Sequence, residues 1–210
     1  LDEYLAERNL YDFQLISTLG YEAADVEHIL SLDNVSAAEG SISYDVLCEA
    51  GEMDQVLKAY SITESVNKVK LLEGRMPEAS DECVADGRIY STEDIGSTIE
   101  LSDDNSKDTL DVFAHRKYTI TGLIYSPVYL NYERGSTTLG NGIIEAYFYI
   151  LPEGFDTDIY TEIYLTLDKS GPIYSDEYES CTNDAKPAVT AAAEAASQRR
   201  YDEIKKEAES

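Results

Sequence analysis

The chain holds no tryptophan, two methionines, two histidines, three cysteines and four phenylalanines in 210 residues. Basic residues are scarce too: 16 Lys and Arg face 42 Asp and Glu, a net charge of −26. Nucleic-acid binding rests on clustered Lys and Arg that neutralise phosphates, so this balance argues against a nucleic-acid partner. Adsorption to an anionic membrane surface is disfavoured for the same reason. Cys48, Cys83 and Cys181 are odd in number and show no C-x-x-C spacing, so no complete disulfide framework is expected. Cys83 follows Asp81 and Glu82, whose charge raises a thiol pKa. The thiols therefore read as small hydrophobes rather than nucleophiles. His28 and His115 stand in no metal-type spacing and read as surface residues, one on a polar helix face and one beside Arg116 and Lys117. No apolar run approaches the ~20 residues that span a bilayer. The chain starts at Leu1 with neither Met nor a signal-peptide pattern, and reads as a piece of something longer.

Catalytic and cofactor motifs are missing as well. There is no G-x-S-x-G elbow, and Glu133-Arg134-Gly135-Ser136 lacks its second glycine. No phosphate-cradling G-x-x-x-x-G-K-[ST] occurs, so ATP hydrolysis by these residues is not expected. Asp103-Asp104-Asn105 with Asp108 faintly resembles a Ca²⁺ loop but lacks the required Gly and Glu, and reads as a solvated hairpin tip. Asp156 and Asp158 get the same reading. No catalytic, cofactor-binding or metal-ligating residue is assigned, no binding residue either, and no cofactor is expected.

What is present is a foldable pattern. Hydrophobic residues make up 43% of the chain, well above a disordered acidic tail. Period-2 alternation predicts a strand over Phe13–Leu19. A helix is expected over Glu22–Leu32, where Ala23, Val26, Ile29 and Leu30 share a face. A strand region follows from Val35 to about Cys48, with Gly40 as a bulge position, and another over Gln55–Ile62. From Val66 to Asn141 short strands and turns dominate without an amphipathic helix: Val69–Leu72, Cys83–Ala85, Thr98–Leu101 and Tyr118–Tyr125, with a glycine-rich loop over Asn131–Gly142. Strong strands over Ile144–Ile150 and Thr161–Leu167 are expected to rejoin the first sheet. Ser175–Ser210 has a helix-forming composition broken or kinked by Pro187, with a thin stripe of Val189, Ala192, Ala196, Tyr201 and Ile204.

The expected fold class is α+β. A mixed α/β lobe takes residues 1–65 and 143–172, an inserted small β-rich lobe takes 66–142, and a C-terminal helical segment takes 173–210 as an arm or a truncated coiled coil. Tyrosine is the abundant aromatic, with 17 residues grouped at Tyr125, Tyr129 and Tyr132, at Tyr147 and Tyr149, and at Tyr160 and Tyr164. Strand filling accounts for them first. A binding surface for carbohydrate or a wall polymer is the other reading, since Tyr pairs a flat apolar ring with a polar tip.

Three stretches resemble one family. Leu72-Glu73-Gly74-Arg75-Met76-Pro77 with Asp81-Glu82-Cys83-Val84 resembles the G-R-x-P and E-x-V segment of the MacB-like extracytoplasmic domain of FtsX-like ABC transporter permeases. Ile95-Gly96-Ser97-Thr98-Ile99-Glu100-Leu101 resembles its next strand, and Tyr118 to Ile124 followed by Ser126-Pro127 the strand after that. The opening from Asp12 to Gly20 is similar to the start of such a domain. Arg75 and Glu82 are expected to pair across the turn that Gly74 and Pro77 make. The resemblance implies a porter-like α/β lobe with a β-rich lobe, non-enzymatic, on the extracytoplasmic face of the cell membrane. It implies a cytoplasmic ABC ATPase reached through transmembrane helices, and four such helices in the permease. It implies export or contact with an extracellular peptide, lipoprotein or cell-wall hydrolase, and it leaves room for a homodimer. The helical segment over 173–210 departs from the short members and is similar to the long arm of larger Gram-positive ones.

Overall fold

The computed structural model describes residues 2–168 and 171–210. Leu1 and two residues of the 143–172 span, Lys169 and Ser170, lie outside them. The first elements are α1 (Asp2–Glu7), β1 (Phe13–Tyr21), α2 (Ala23–Leu30), β2 (Val35–Ser41), β3 (Ser43–Ala50) and β4 (Met53–Ser61). Then come β5 (Lys70–Gly74), β6 (Glu82–Asp86), β7 (Thr98–Glu100), α3 (Lys107–Asp111) and β8 (Lys117–Tyr125). Last are β9 (Ala146–Ile150), β10 (Tyr160–Leu167) and α4 (Asp176–Ala208). The fold is α+β, as the sequence predicts. The chain forms two compact units, one of residues 1–41, 63–68 and 158–210, the other of 42–62 and 69–157.

The first unit carries an antiparallel sheet in the order β1-β10-β2. Phe13 lies opposite Leu165 and Leu15 opposite Ile163, so the alternation of β1 puts its apolar side with that of β10. Tyr21 and Ile29 join Ile163, Leu165 and Leu167 in a core that α4 completes with Ala185, Val189, Ala192 and Ala196. These α4 positions repeat at helical spacing, and three of the four are alanine, which brings the helix backbone close to the sheet. From Cys181 to Ala196 the helix packs on this core. The stripe does not run on as predicted: Tyr201 and Ile204 are 53% and 36% exposed.

Pro187 lies inside α4 and does not break it. Proline removes one backbone donor to the preceding turn, but Ala185 and Val189 pack on either side of it and hold both halves to one sheet. Ser175 caps the helix by accepting from the Tyr178 N–H at 3.2 Å. Asp176, Glu177 and Glu179 open the helix and Lys205 and Lys206 close it, each sign at the end the helix dipole favours.

The second unit is a β-rich body. Its sheet runs β3-β4-β9-β6-β8-β5, with β7 also paired to β8. β5 and β7 use successive parts of the same β8 edge, residues 122–125 and 117–119. A bridge between Cys48 and Leu101 and a bond from the Ser102 N–H to the Leu47 carbonyl at 2.9 Å then join β7 to β3. The order β3-β4-β9-β6-β8-β7 thus closes into a ring, while β5 pairs with β8 alone among the described strands and keeps one open edge. β9 is buried along its whole length, so both of its faces are covered.

Four expectations are corrected. The strand region from Val35 to Cys48 is two strands in two sheets, parted at Ile42, whose N–H bonds Ser61 Oγ at 2.9 Å. Of the two strands expected to rejoin the first sheet, β10 does, but β9 lies between β4 and β6 in the second. Both faces of β9 are apolar, so it needs cover on both sides, and its pattern names no partner. The polar stretch over Ser102–Asp108 is not a bare hairpin tip. It enters α3, where Ser106 Oγ accepts from the Thr109 N–H at 3.2 Å. Gly40 marks no bulge either: a Cβ there would lie 2.4 Å from the Tyr160 ring, so it is a point of close approach.

Candidate functional site

The motif segments of the second unit meet on β8. β5 ends at Gly74, with φ +74°, where a Cβ would lie 2.3 Å from the Thr121 carbonyl oxygen. A Cβ on Gly122 would lie 2.6 Å from the Arg75 oxygen and 2.7 Å from that of Glu73. Only two glycines let these backbones touch. The Arg75 N–H then donates to the Thr121 carbonyl at 3.0 Å. Thr121 Oγ1 sits 3.0 Å from the Arg75 oxygen and 3.2 Å from that of Cys83, so it spans β5 and β6.

The expected Arg75–Glu82 pair forms and is bidentate: Nη1 to Oε2 is 2.9 Å and Nη2 to Oε1 is 2.5 Å. Glu82 Oε2 also accepts from the N–H groups of Glu78 at 2.8 Å and Ala79 at 3.2 Å. The Arg75 bond first, and these backbone donors with it, pull the Glu82 pKa down to about 2. The G-R-x-P turn is thus fastened to the strand that follows it.

At its other end β8 leads into Ser126-Pro127. The Ser126 N–H donates to Tyr147 Oη at 3.1 Å, and Ser126 Oγ lies 2.7 Å from Tyr149 Oη. Two stacked tyrosine pairs follow: Tyr147 on Tyr129, with centroids 4.9 Å apart, and Tyr149 on Tyr60, also 4.9 Å. The Tyr60 and Tyr129 hydroxyls are 2.5 Å apart. Two of the tyrosine groups read from the sequence, that at 125–132 and that at 147–149, are therefore one site. Tyr160 and Tyr164 belong to β10 in the other unit.

A buried ion pair anchors the loop in this site. Asp86 Oδ2 accepts from Arg134 Nε at 2.6 Å and Oδ1 from Nη2 at 3.1 Å. The two side chains are 0% and 1% exposed. Arg134 also donates to the Asn131 carbonyl, and its guanidinium lies over the Tyr129 and Tyr147 rings at 5.4 and 5.1 Å. Burial works against the Arg134 charge, while the bond and attraction to Asp86 more than offset it and raise its pKa. Burial, then the Asp86 charge, pushes the Tyr147 phenol up.

Neither Asp86 nor Arg88 is singled out by the sequence reading, and Arg134 enters it only through a false serine elbow. The usable signal is a lone acid closing the apolar run Cys83-Val84-Ala85. Such an acid needs a buried cation.

No protein-family model matches the chain, and no curated protein does. Solved structures do. The extracellular domain of the noncanonic ABC-type transporter YknZ from Gram-positive bacteria is similar over 83% of this chain and 95% of its own, at 10% identity and TM-score 0.47. The periplasmic region of MacB from Actinobacillus actinomycetemcomitans is similar over 81% and 75%, at 13% identity and TM-score 0.44. A permease-protein domain from Porphyromonas gingivalis is similar over 88% and 72%, at 14% identity and TM-score 0.44. The first of these is described as part of an ABC-type transporter and the third as a domain of a permease protein.

Of the remaining sequence candidates, Cys83 gives the knot only its backbone oxygen. Cys48 and Cys83 are buried, and desolvation raises both thiol pKa values. Cys181 is half-buried, with its Sγ 3.4 Å from the Asp168 carbonyl oxygen. His28 is exposed on α2. His115 is half-buried, its Nε2 2.8 Å from Ser80 Oγ. Asn105, from the faint Ca²⁺ pattern, is a structural brace: its amide accepts from the Leu47 N–H at 2.8 Å and donates to the Leu47 carbonyl at 2.7 Å. Among the described residues no group of three or more His, Cys, Asp and Glu could hold a metal ion.

Proposed function

We propose that this chain is a non-enzymatic extracytoplasmic domain of an ABC transporter permease. It would pass ATP-driven movement of the membrane part to an exported substrate or to an extracellular peptide, lipoprotein or cell-wall hydrolase. The observation that carries the reading is the meeting of the motifs. Thr121-Gly122 stands far in sequence from Gly74-Arg75 and Glu82, yet they form one hydrogen-bonded knot, and Ser126 of the same motif set ties β8 to β9. In this reading the knot would pass movement between strands, a task that needs no chemistry of its own. In this reading a cytoplasmic ATPase is the partner, reached through transmembrane helices outside these residues. No helix among the described residues is long and apolar enough to cross a membrane.

The test uses the complete reading frame. Apolar spans of ~20 residues should flank this segment. A tagged full-length protein should co-purify with an ATPase that carries a P-loop. A cysteine introduced as Glu194→Cys, in a background with the native cysteines replaced, should react with an impermeant maleimide in whole cells. Labelling only after lysis, or purification without any ATPase, would overturn the proposal.

A further inference from the structure

Arg88 differs from every other arginine of the chain. The other six of the seven each reach a carboxylate or carbonyl oxygen of the protein. The Arg88 guanidinium makes no hydrogen bond or ion pair with another described residue, in a chain where acids outnumber bases by 42 to 16. It lies instead over two rings, 5.4 Å from the Tyr125 centroid and 5.1 Å from that of Tyr132.

The arrangement is built. The Arg88 N–H donates to Asp86 Oδ1 at 3.1 Å, and the same carboxylate holds Arg134 and with it the loop that carries Tyr132. One buried acid thus positions the backbone of Arg88 and the base of the loop that brings a ring to it. The rings remain open to solvent, Tyr125 at 36% and Tyr132 at 76% exposure.

We infer that Arg88, Tyr125 and Tyr132 form a docking surface for an acidic glycan. A guanidinium beside aromatic rings keeps its N–H donors in its own plane, and a carboxylate accepts two of them side by side. An exposed Tyr ring offers a flat apolar face for the C–H face of a pyranose and a hydroxyl for its polar edge. A sugar that carries its own carboxylate meets both features at once. An oligoglutamate would meet the guanidinium but has no pyranose C–H face to set on tyrosine. This surface goes beyond the transporter reading, and its test does not depend on that reading.

The experiment is calorimetry on the full 210-residue chain with a trigalacturonate probe, its methyl ester and an oligoglutamate of equal charge. The acid should bind saturably at millimolar concentration. The ester should bind about tenfold more weakly or not at all, since it keeps the sugar faces and loses the anion. Arg88→Gln and Tyr132→Ala should each weaken acid binding by about tenfold. Both side chains are outside the core, so unchanged thermal midpoints would show that the loss is local. Absence of saturable binding to the acid, undiminished binding by Arg88→Gln, or oligoglutamate binding as tight as the sugar acid would each overturn the inference.

Discussion

Glu82 accepts from Arg75 and from two backbone donors, and its carboxyl ionises near pH 2 in the fold against 4.5 without these partners. A depressed carboxyl pKa stabilises the fold above the unfolded value and ceases to do so as pH falls through the folded one. Wild type should therefore be more stable than Glu82→Gln at neutral pH, and the two should converge between about pH 4 and pH 2. Thermal melts across that range check it, and a difference that persists at pH 2 counts against the role given to this carboxylate. The Asp86–Arg134 pair behaves differently because it is buried. Asp86→Ala leaves a guanidinium without its counter-charge and should cost about 3–5 kcal/mol in urea unfolding. Asp86→Leu combined with Arg134→Met should recover much of that loss, because an apolar pair needs no desolvation of charge. If the double variant is as unstable as the single one, shape rather than charge governs this position. Arg75–Glu82 was legible in the sequence because turn chemistry brings residues seven apart within reach. Asp86–Arg134 was not, since its partners are 48 residues apart and join through the packing of a loop.

At the scale of elements, α4 shows how tertiary contact overrides propensity. Proline costs an isolated helix about 3 kcal/mol at an interior position, yet Pro187 lies within a continuous helix. The sheet beneath supplies what the helix lacks, through Ala185 and Val189 on the flanking turns. Pro187→Ala restores a donor for the Asn183 carbonyl and should stabilise the protein by about 1–3 kcal/mol. Chemical denaturation reads this directly, and a loss of stability would mean that the ring itself packs usefully. The strands show the opposite lesson. Their existence followed from alternation or from apolar runs, but β9 carries an apolar pattern that fits any covered strand, so its place between β4 and β6 had no local signature. The split at Ile42 was hidden for a like reason, because a single connecting residue leaves the run of strand-forming residues unbroken.

The whole molecule carries a net charge of −26. The described ion pairs engage most of the arginines and leave a large surplus of carboxylates. Self-repulsion of that surplus should lower stability at low ionic strength. The melting temperature should rise between about 0.01 M and 0.15 M NaCl, as the Debye length falls from ~30 Å to ~8 Å. A flat or falling melting temperature would show that local pairing, not the summed field, governs the response.

Composition, alternation and turn residues determined the α+β class, the approximate positions of the strands, the helical tail and the Arg75–Glu82 turn. Those features are encoded over a few residues, where backbone geometry and side-chain period leave little choice. The tertiary structure alone decided which sheet each strand enters, that a proline-containing helix completes a core, and that tyrosines from three strands and a loop gather around Asp86, Arg134 and Arg88. Each depends on contacts between residues far apart in the chain. Packing and desolvation select such contacts, and a single sequence holds no local mark of them.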